Sequence, residues 1–194
     1  MAQPANRRKI VDAAALNALA HTVRLDVLSF LMSAGPATAS ACARAVGDTP
    51  SNCSYHLRVL AQHGLVEHAP STDGRERPWR ATATGLESEI DSADPEIAAG
   101  AVAVAGAELQ LDHQRALEHL RSRHLLPAEW RGVETHSIYG LRVTPEELRS
   151  LIAQIDALVR PFIAPTRTDA PENAAIASLS TLAYPRPTFD HRDD

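Results

Sequence analysis

The sequence predicts an α+β protein that is mainly helical, and three observations carry that expectation. Between residues 12 and 63 apolar residues recur at helical spacing in short blocks bounded by Thr, Gly and Pro. Asp73-Gly74, a tight-turn dipeptide, then sits between two short strand candidates. Finally, one long helical stretch opens at Asp94-Pro95-Glu96 and runs to about Arg123. Composition agrees. Hydrophobic residues make up 44% of the 194, enough for a packed core, yet aromatics are only 4% and alanine fills much of the apolar share, which favours closely packed helices.

Each element has a local reason. Asp12 to Ala20 reads as a short helix with Leu16 and Leu19 on one face, and Thr22 is placed to cap the next, whose stripe is Val23, Val27, Leu28 and Leu31. Gly35-Pro36 ends it. Thr38 opens a third helix, stopped by Gly47, and Thr49-Pro50 gives the fourth an N-cap with proline at its first position. Gly64 falls where a C-cap glycine is expected. "LVEHA" and "RPWRAT" read as the two strands of a hairpin over 65–82 with an arginine-bearing tip. Further on, "HSIYGLRV" reads as a strand. Thr144-Pro145-Glu146-Glu147 opens a helix with a capping box, and "AIASLSTLAY" reads as a last strand. The expected fold is therefore a helical N-terminal unit with a hairpin, a long helix, and a small C-terminal strand-helix-strand region.

Charge divides the chain. Net charge is −5, but residues 1–85 carry nine Lys+Arg against six Asp+Glu, while 86–194 carry ten against eighteen. A basic front and an acidic back imply that any nucleic acid meets the first half only. The longest charge-free apolar run, Ile97 to Ala107, is far short of the roughly 18 residues a membrane span needs, so no membrane partner is expected. Two cysteines eleven apart make no disulfide framework and fit a reducing cytoplasm. The N-terminus has no signal-peptide pattern.

Three short helices followed by a hairpin make a winged helix-turn-helix, in which the helix over 50–63 is the recognition helix that enters the DNA major groove. A helical wheel tests this. Leu57 and Leu60 lie within about 40° of Cys53, while Ser51, Tyr55, Arg58 and Gln62 lie at about 140–200° from it. Asn52 and Ser54 flank that outer face. The outer groups are hydroxyls, an amide, a phenol and a guanidinium, suited to hydrogen-bonding base edges and phosphates. His56 falls at the boundary, where it either packs or reaches a phosphate. Arg75 and Arg77 in the wing are placed for phosphate contact.

"LAHTVRLDVLSFL", "SYHLRVLAQHGLVE" and "GRERPWRAT" resemble the ArsR-type winged-helix transcriptional regulators, over about residues 12–85. "WRGVETHSIYGLRVTPEELRSLIAQI" and "AYPRP" are similar to the C-terminal region of one branch common in GC-rich bacteria. Thr22-Val23 departs from the pattern, which usually has proline after the histidine. The resemblance implies a cytoplasmic homodimer that binds double-stranded DNA at an operator and regulates transcription, usually as a repressor. By position it carries DNA contact to Ser51, Asn52, Ser54, Tyr55, His56 and Arg58, and to the wing tip, including Arg75 and Arg77.

The expected organisation is a DNA-binding domain over 1–85, a dimerisation helix over 86–126, a β-α-β region over 127–187 that contacts an effector or the dimer partner, and a tail over 188–194. No cofactor or catalytic residue is implied. Trp130, Tyr139 and Tyr184 are the aromatic candidates for a small-molecule effector pocket. The alternative is a metal- or thiol-responsive regulator using His113, His119 and His124, or Cys42 and Cys53. Against it, His113 and His124 lie about 16 Å apart along one helix, and Cys42 falls on a buried stripe with Ala39 and Val46. The remote alternative, an enzyme with a pocket in the C-terminal half, lacks any clustered acid-base or nucleophile motif.

Overall fold

The computed structural model describes residues 7–70 and 77–185. Four helices build the N-terminal unit: α1 (Ala13–Leu19), α2 (Thr22–Ala34), α3 (Ala39–Val46) and α4 (Pro50–Gln62). The side chains of Asp12, Thr38 and Thr49 accept backbone N–H groups in the first turns of α1, α3 and α4, as their residue types require. At α2 the N-cap is His21 and contributes no side-chain bond, so Thr22 is the first helical residue and not the cap. Gly47 ends α3 in the left-handed region at φ 69°, where a side chain would be strained. Leu16, Leu19, Val27, Leu28, Cys42, Cys53, Leu57 and Leu60 are all buried in one core.

The hairpin forms as expected. Strands β2 (Val66–His68) and β3 (Trp79–Ala81) pair antiparallel, with Val66 opposite Ala81 and His68 opposite Trp79. A further pair has no sequence signal. Strands β1 (Arg7–Ile10) and β4 (Gly85–Ser88) run parallel, Arg7 beside Gly85 and Ile10 beside Ser88. Three of the four β1 residues are cationic, so no alternating apolar pattern marks it, yet Ile10 is buried. Arg8 reaches from β1 to the carbonyls of His63 and Gly64, which follow the end of α4.

The long helix α5 (Pro95–Ser122) is capped by Asp94 and has two faces. Gly100, Ala101, Val104 and Leu111 are buried against the N-terminal unit. At Gly100 the contact is so close that a Cβ would stand 2.8 Å from the Leu16 Cβ. Arg115 donates to Asp26 and, at 3.3 Å, to Ser29, tying α5 to α2. The opposite face, Val102, Gly106, Leu109, His113, Ala116 and Leu120, is exposed.

The C-terminal half corrects the strand-helix-strand expectation. Helix α6 (Pro145–Val159) forms with the expected capping box between Thr144 and Glu147. Residues 134–144 and 175–185, however, are not in strands. Alternation makes a strand only where another strand offers its backbone, and among the described residues none pairs with these segments. Ile138, Leu141, Ile176, Leu179 and Leu182 are accordingly exposed. Polar tethers hold the region instead: Arg123 to Glu134, Arg7 to Asp156 at 3.0 Å, and the Ser180 hydroxyl donating to Asp112 at 2.6 Å.

Candidate nucleic-acid interface

Helix α4 presents its outer face because its inner one is fixed. Cys53, Leu57 and Leu60 have no exposed area. Ser51, Asn52 and Arg58 are exposed, Tyr55 is 54% exposed, and Ser54 is partly so. Local bonds orient two of these side chains. The Asn52 amide donates to Asp48 at 2.6 Å, and the Ser54 hydroxyl donates to the Pro50 carbonyl at 2.8 Å. Asp48 lies in the α3–α4 turn, so the turn that sets the helix direction also sets the Asn52 side chain.

His56 departs from the contact set. It is only 4% exposed, its buried Nδ1 has no hydrogen-bond partner among the described residues, and its ring packs against His21 at 4.9 Å and Tyr55 at 5.3 Å. The boundary position on the wheel resolves inward because the start of α2 covers it. Burial, reinforced by His21 and Arg24, holds its imidazole below the ordinary 6.5, so the ring is neutral at physiological pH. The same packing brings Arg24, whose Nε donates to the Ala18 carbonyl, beside the exposed Tyr55. "HTVR" signals only a helix start in the sequence; its proximity to α4 comes from the tertiary fold.

On the wing, Arg77 is exposed at the foot of β3, while Arg75 lies outside the described residues. Arg80 is matched by Glu67 across the hairpin at 2.7 Å. Arg44, in the last turn of α3, is exposed.

The other candidate residues are not brought together. Cys42 and Cys53 are buried, and burial pushes the Cys42 thiol up to about 11 and the Cys53 thiol upward. Both are therefore protonated near neutrality and poor nucleophiles. On α5, His119 lies 3.8 Å from Glu134 and His113 faces outward, and just past its end His124 Nδ1 lies 3.1 Å from the Arg121 carbonyl. Among the described residues no three His, Cys, Asp or Glu side chains are grouped to hold a metal. Trp130 is half-buried, whereas Tyr139 and Tyr184 are exposed, so these three aromatics do not share one enclosed environment. Among the described residues no helix is long and apolar enough to cross a membrane.

Residues 19–69 match a family described as a helix-turn-helix domain. The chain carries a helix-turn-helix domain. The match spans α2, α3, α4 and β2, so it falls on the helix with the exposed polar face and points to a DNA-binding regulator rather than an enzyme. It does not single out the ArsR-type branch. No curated protein matches the chain. Among solved structures, the apo C30AH42A mutant of ZitR from Lactococcus lactis is 15% identical, with 74% of this chain and 83% of that one covered and a TM-score of 0.32. A MarR family protein of Mycobacterium tuberculosis in complex with salicylic acid is 21% identical, with 75% and 83% covered and a TM-score of 0.31. Likenesses this slight carry no argument about the helix-turn-helix domain or the rest of the chain.

Proposed function

We propose that this protein is a sequence-specific transcription regulator of the cytoplasm, a repressor that binds an operator as a homodimer. The observation that carries the reading is the division of α4. Cys53, Leu57 and Leu60 hold it to the core, while Ser51, Asn52, Tyr55 and Arg58 are exposed on the side away from it. Inserted in a major groove, these groups supply donors and acceptors for base edges, and Arg58 has the geometry for bidentate contact to guanine or a phosphate. Arg77 and the wing-tip Arg75 meet the backbone.

The outer face of α5 supports pairing. Val102, Leu109, Ala116 and Leu120, with Gly106 and His113 between them, form a seam of alternating four- and three-residue steps, the spacing that lets two helices pack side by side. An antiparallel pair centred near His113 places two copies of α4 on one side, to read half-sites about 34 Å apart. The C-terminal half then serves as the effector or partner region.

Genome-wide recovery of bound DNA supplies the operator for the test. Arg58→Ala lowers affinity for it about 10- to 100-fold, the range for one bidentate contact, with the thermal melt unchanged. Unchanged affinity removes Arg58 from the interface, and loss of the folded state removes it from the outer face.

A further inference from the structure

Residues 175–184, AIASLSTLAY, combine properties that a lone chain does not tolerate well. They carry no charge, proline or glycine, lie in no helix or strand, and make no backbone–backbone hydrogen bond among the described residues. Ile176, Leu179, Leu182 and Tyr184 are all more than 60% exposed. A free, uncharged strand edge is a template for pairing with another chain, and natural proteins cover or charge such edges. Yet one residue is anchored: Ser180 donates to Asp112 on the flank of α5.

We propose that residues 176–184 form an intermolecular antiparallel ladder with the same residues of a second copy, centred near Ser180. The inference rests on the reading of α5 as a pairing helix and adds a second, independent contact to it. Three observations select a second copy as the occupant. The first is position. Asp112 is one residue from the midpoint of the exposed seam over 102–120, so its bond to Ser180 holds the segment beside the place where a two-fold axis would pass. A two-fold axis that crosses a segment at a right angle sets it antiparallel to its own copy, and that is the arrangement of the proposed ladder.

The second is area. The chain exposes 14133 Å² for 20.9 kDa, whereas a compact monomer of that mass exposes about 9,000 Å². Even counted as fully exposed, residues 1–6, 71–76 and 186–194 supply only about 3,500 Å² of the excess. At least about 1,600 Å² per chain remains, or about 3,200 Å² for a pair, within the range that obligate dimers bury. The third is chemistry. Nothing in 176–184 is charged, so the segment meets its own copy without repulsion, and its Ser and Thr side chains can hydrogen-bond across the pair.

The test uses the full chain carrying single cysteines. In a ladder centred on residue 180 the facing Cα atoms lie about 4.5–5.5 Å apart, within reach of a disulfide. Ser180→Cys is expected to yield a covalent dimer on mild oxidation, while Ala170→Cys, equally exposed, is not; native Cys42 and Cys53 are buried and do not compete. His113→Cys with a bismaleimide matched to a helix spacing of about 8–10 Å reports on the seam. Crosslinking at both 113 and 180 supports the ladder. Crosslinking at 113 with none at 180 overturns the ladder and leaves the pairing helix standing. Equal crosslinking at 170 and 180 also overturns it, because the contact is then not selective. A monomer by light scattering overturns both.

Discussion

His56 links the α2 packing to pH. Its imidazole is held below the ordinary value of 6.5, chiefly by burial and then by His21 and Arg24. The folded chain therefore keeps His56 neutral, while the unfolded chain takes up a proton as pH falls through about 6.5. Stability is complete above that point and declines below it, until the depressed folded value is reached. For one proton the loss between pH 7.5 and 5.5 is at most about 1.4 kcal/mol. His56→Leu removes it. At pH 7.5 the variant loses ring contacts with Tyr55 and His21 worth about 0.5–1.5 kcal/mol. It also relieves the unpartnered Nδ1, whose burial costs about 1–3 kcal/mol. The gain matches or exceeds the loss, so the variant is about as stable as wild type or up to about 2 kcal/mol more stable at pH 7.5, and its advantage grows further at 5.5. Urea unfolding followed by circular dichroism at fixed protein concentration measures both. Parallel pH profiles refute the reasoning, as does a variant that loses more than about 3 kcal/mol at pH 7.5, since that would mean Nδ1 has a partner.

Two further outcomes follow from packing. Gly100→Ala is expected to lower the thermal midpoint despite alanine's helix preference of about 1 kcal/mol, because the new Cβ meets Leu16 at 2.8 Å and overpacking costs about 1–3 kcal/mol; a higher midpoint would show that α1 and α5 part freely. Cys42 and Cys53 are expected to resist a thiol reagent at pH 8 in the native protein and to titrate as two thiols in denaturant, with stability falling as pH rises from 9 toward 11, where the folded chain keeps the Cys42 proton that the unfolded chain has lost. Rapid reaction of either native thiol refutes this.

Most of the N-terminal unit was legible in the sequence because its signals are local. Thr38, Thr49 and Asp94 cap helices through their own side chains, Gly47 needs its left-handed backbone, and the split of α4 follows from 100° per residue. What escaped depends on distant neighbours. Arg7–Ile10 becomes a strand only because Gly85–Ser88 arrives beside it. His56 turns inward because α2 covers it, and the alternating runs near 138 and 180 need a partner edge that a single chain does not supply.

Helix α4 is held from outside its exposed polar face. Thr49 fastens its first turn, Arg8 grips the carbonyls just past its end, and Cys53, Leu57 and Leu60 fill the core beneath. None of Ser51, Asn52, Tyr55 or Arg58 is buried in that scaffold, although Asn52 bonds Asp48 and Tyr55 touches the His56 ring. On the proposed function, substitutions at Ser51 and Arg58 in particular could change which operator is read with little change in folding stability, so the selection that keeps the fold would act on different codons from the selection that chooses the genes.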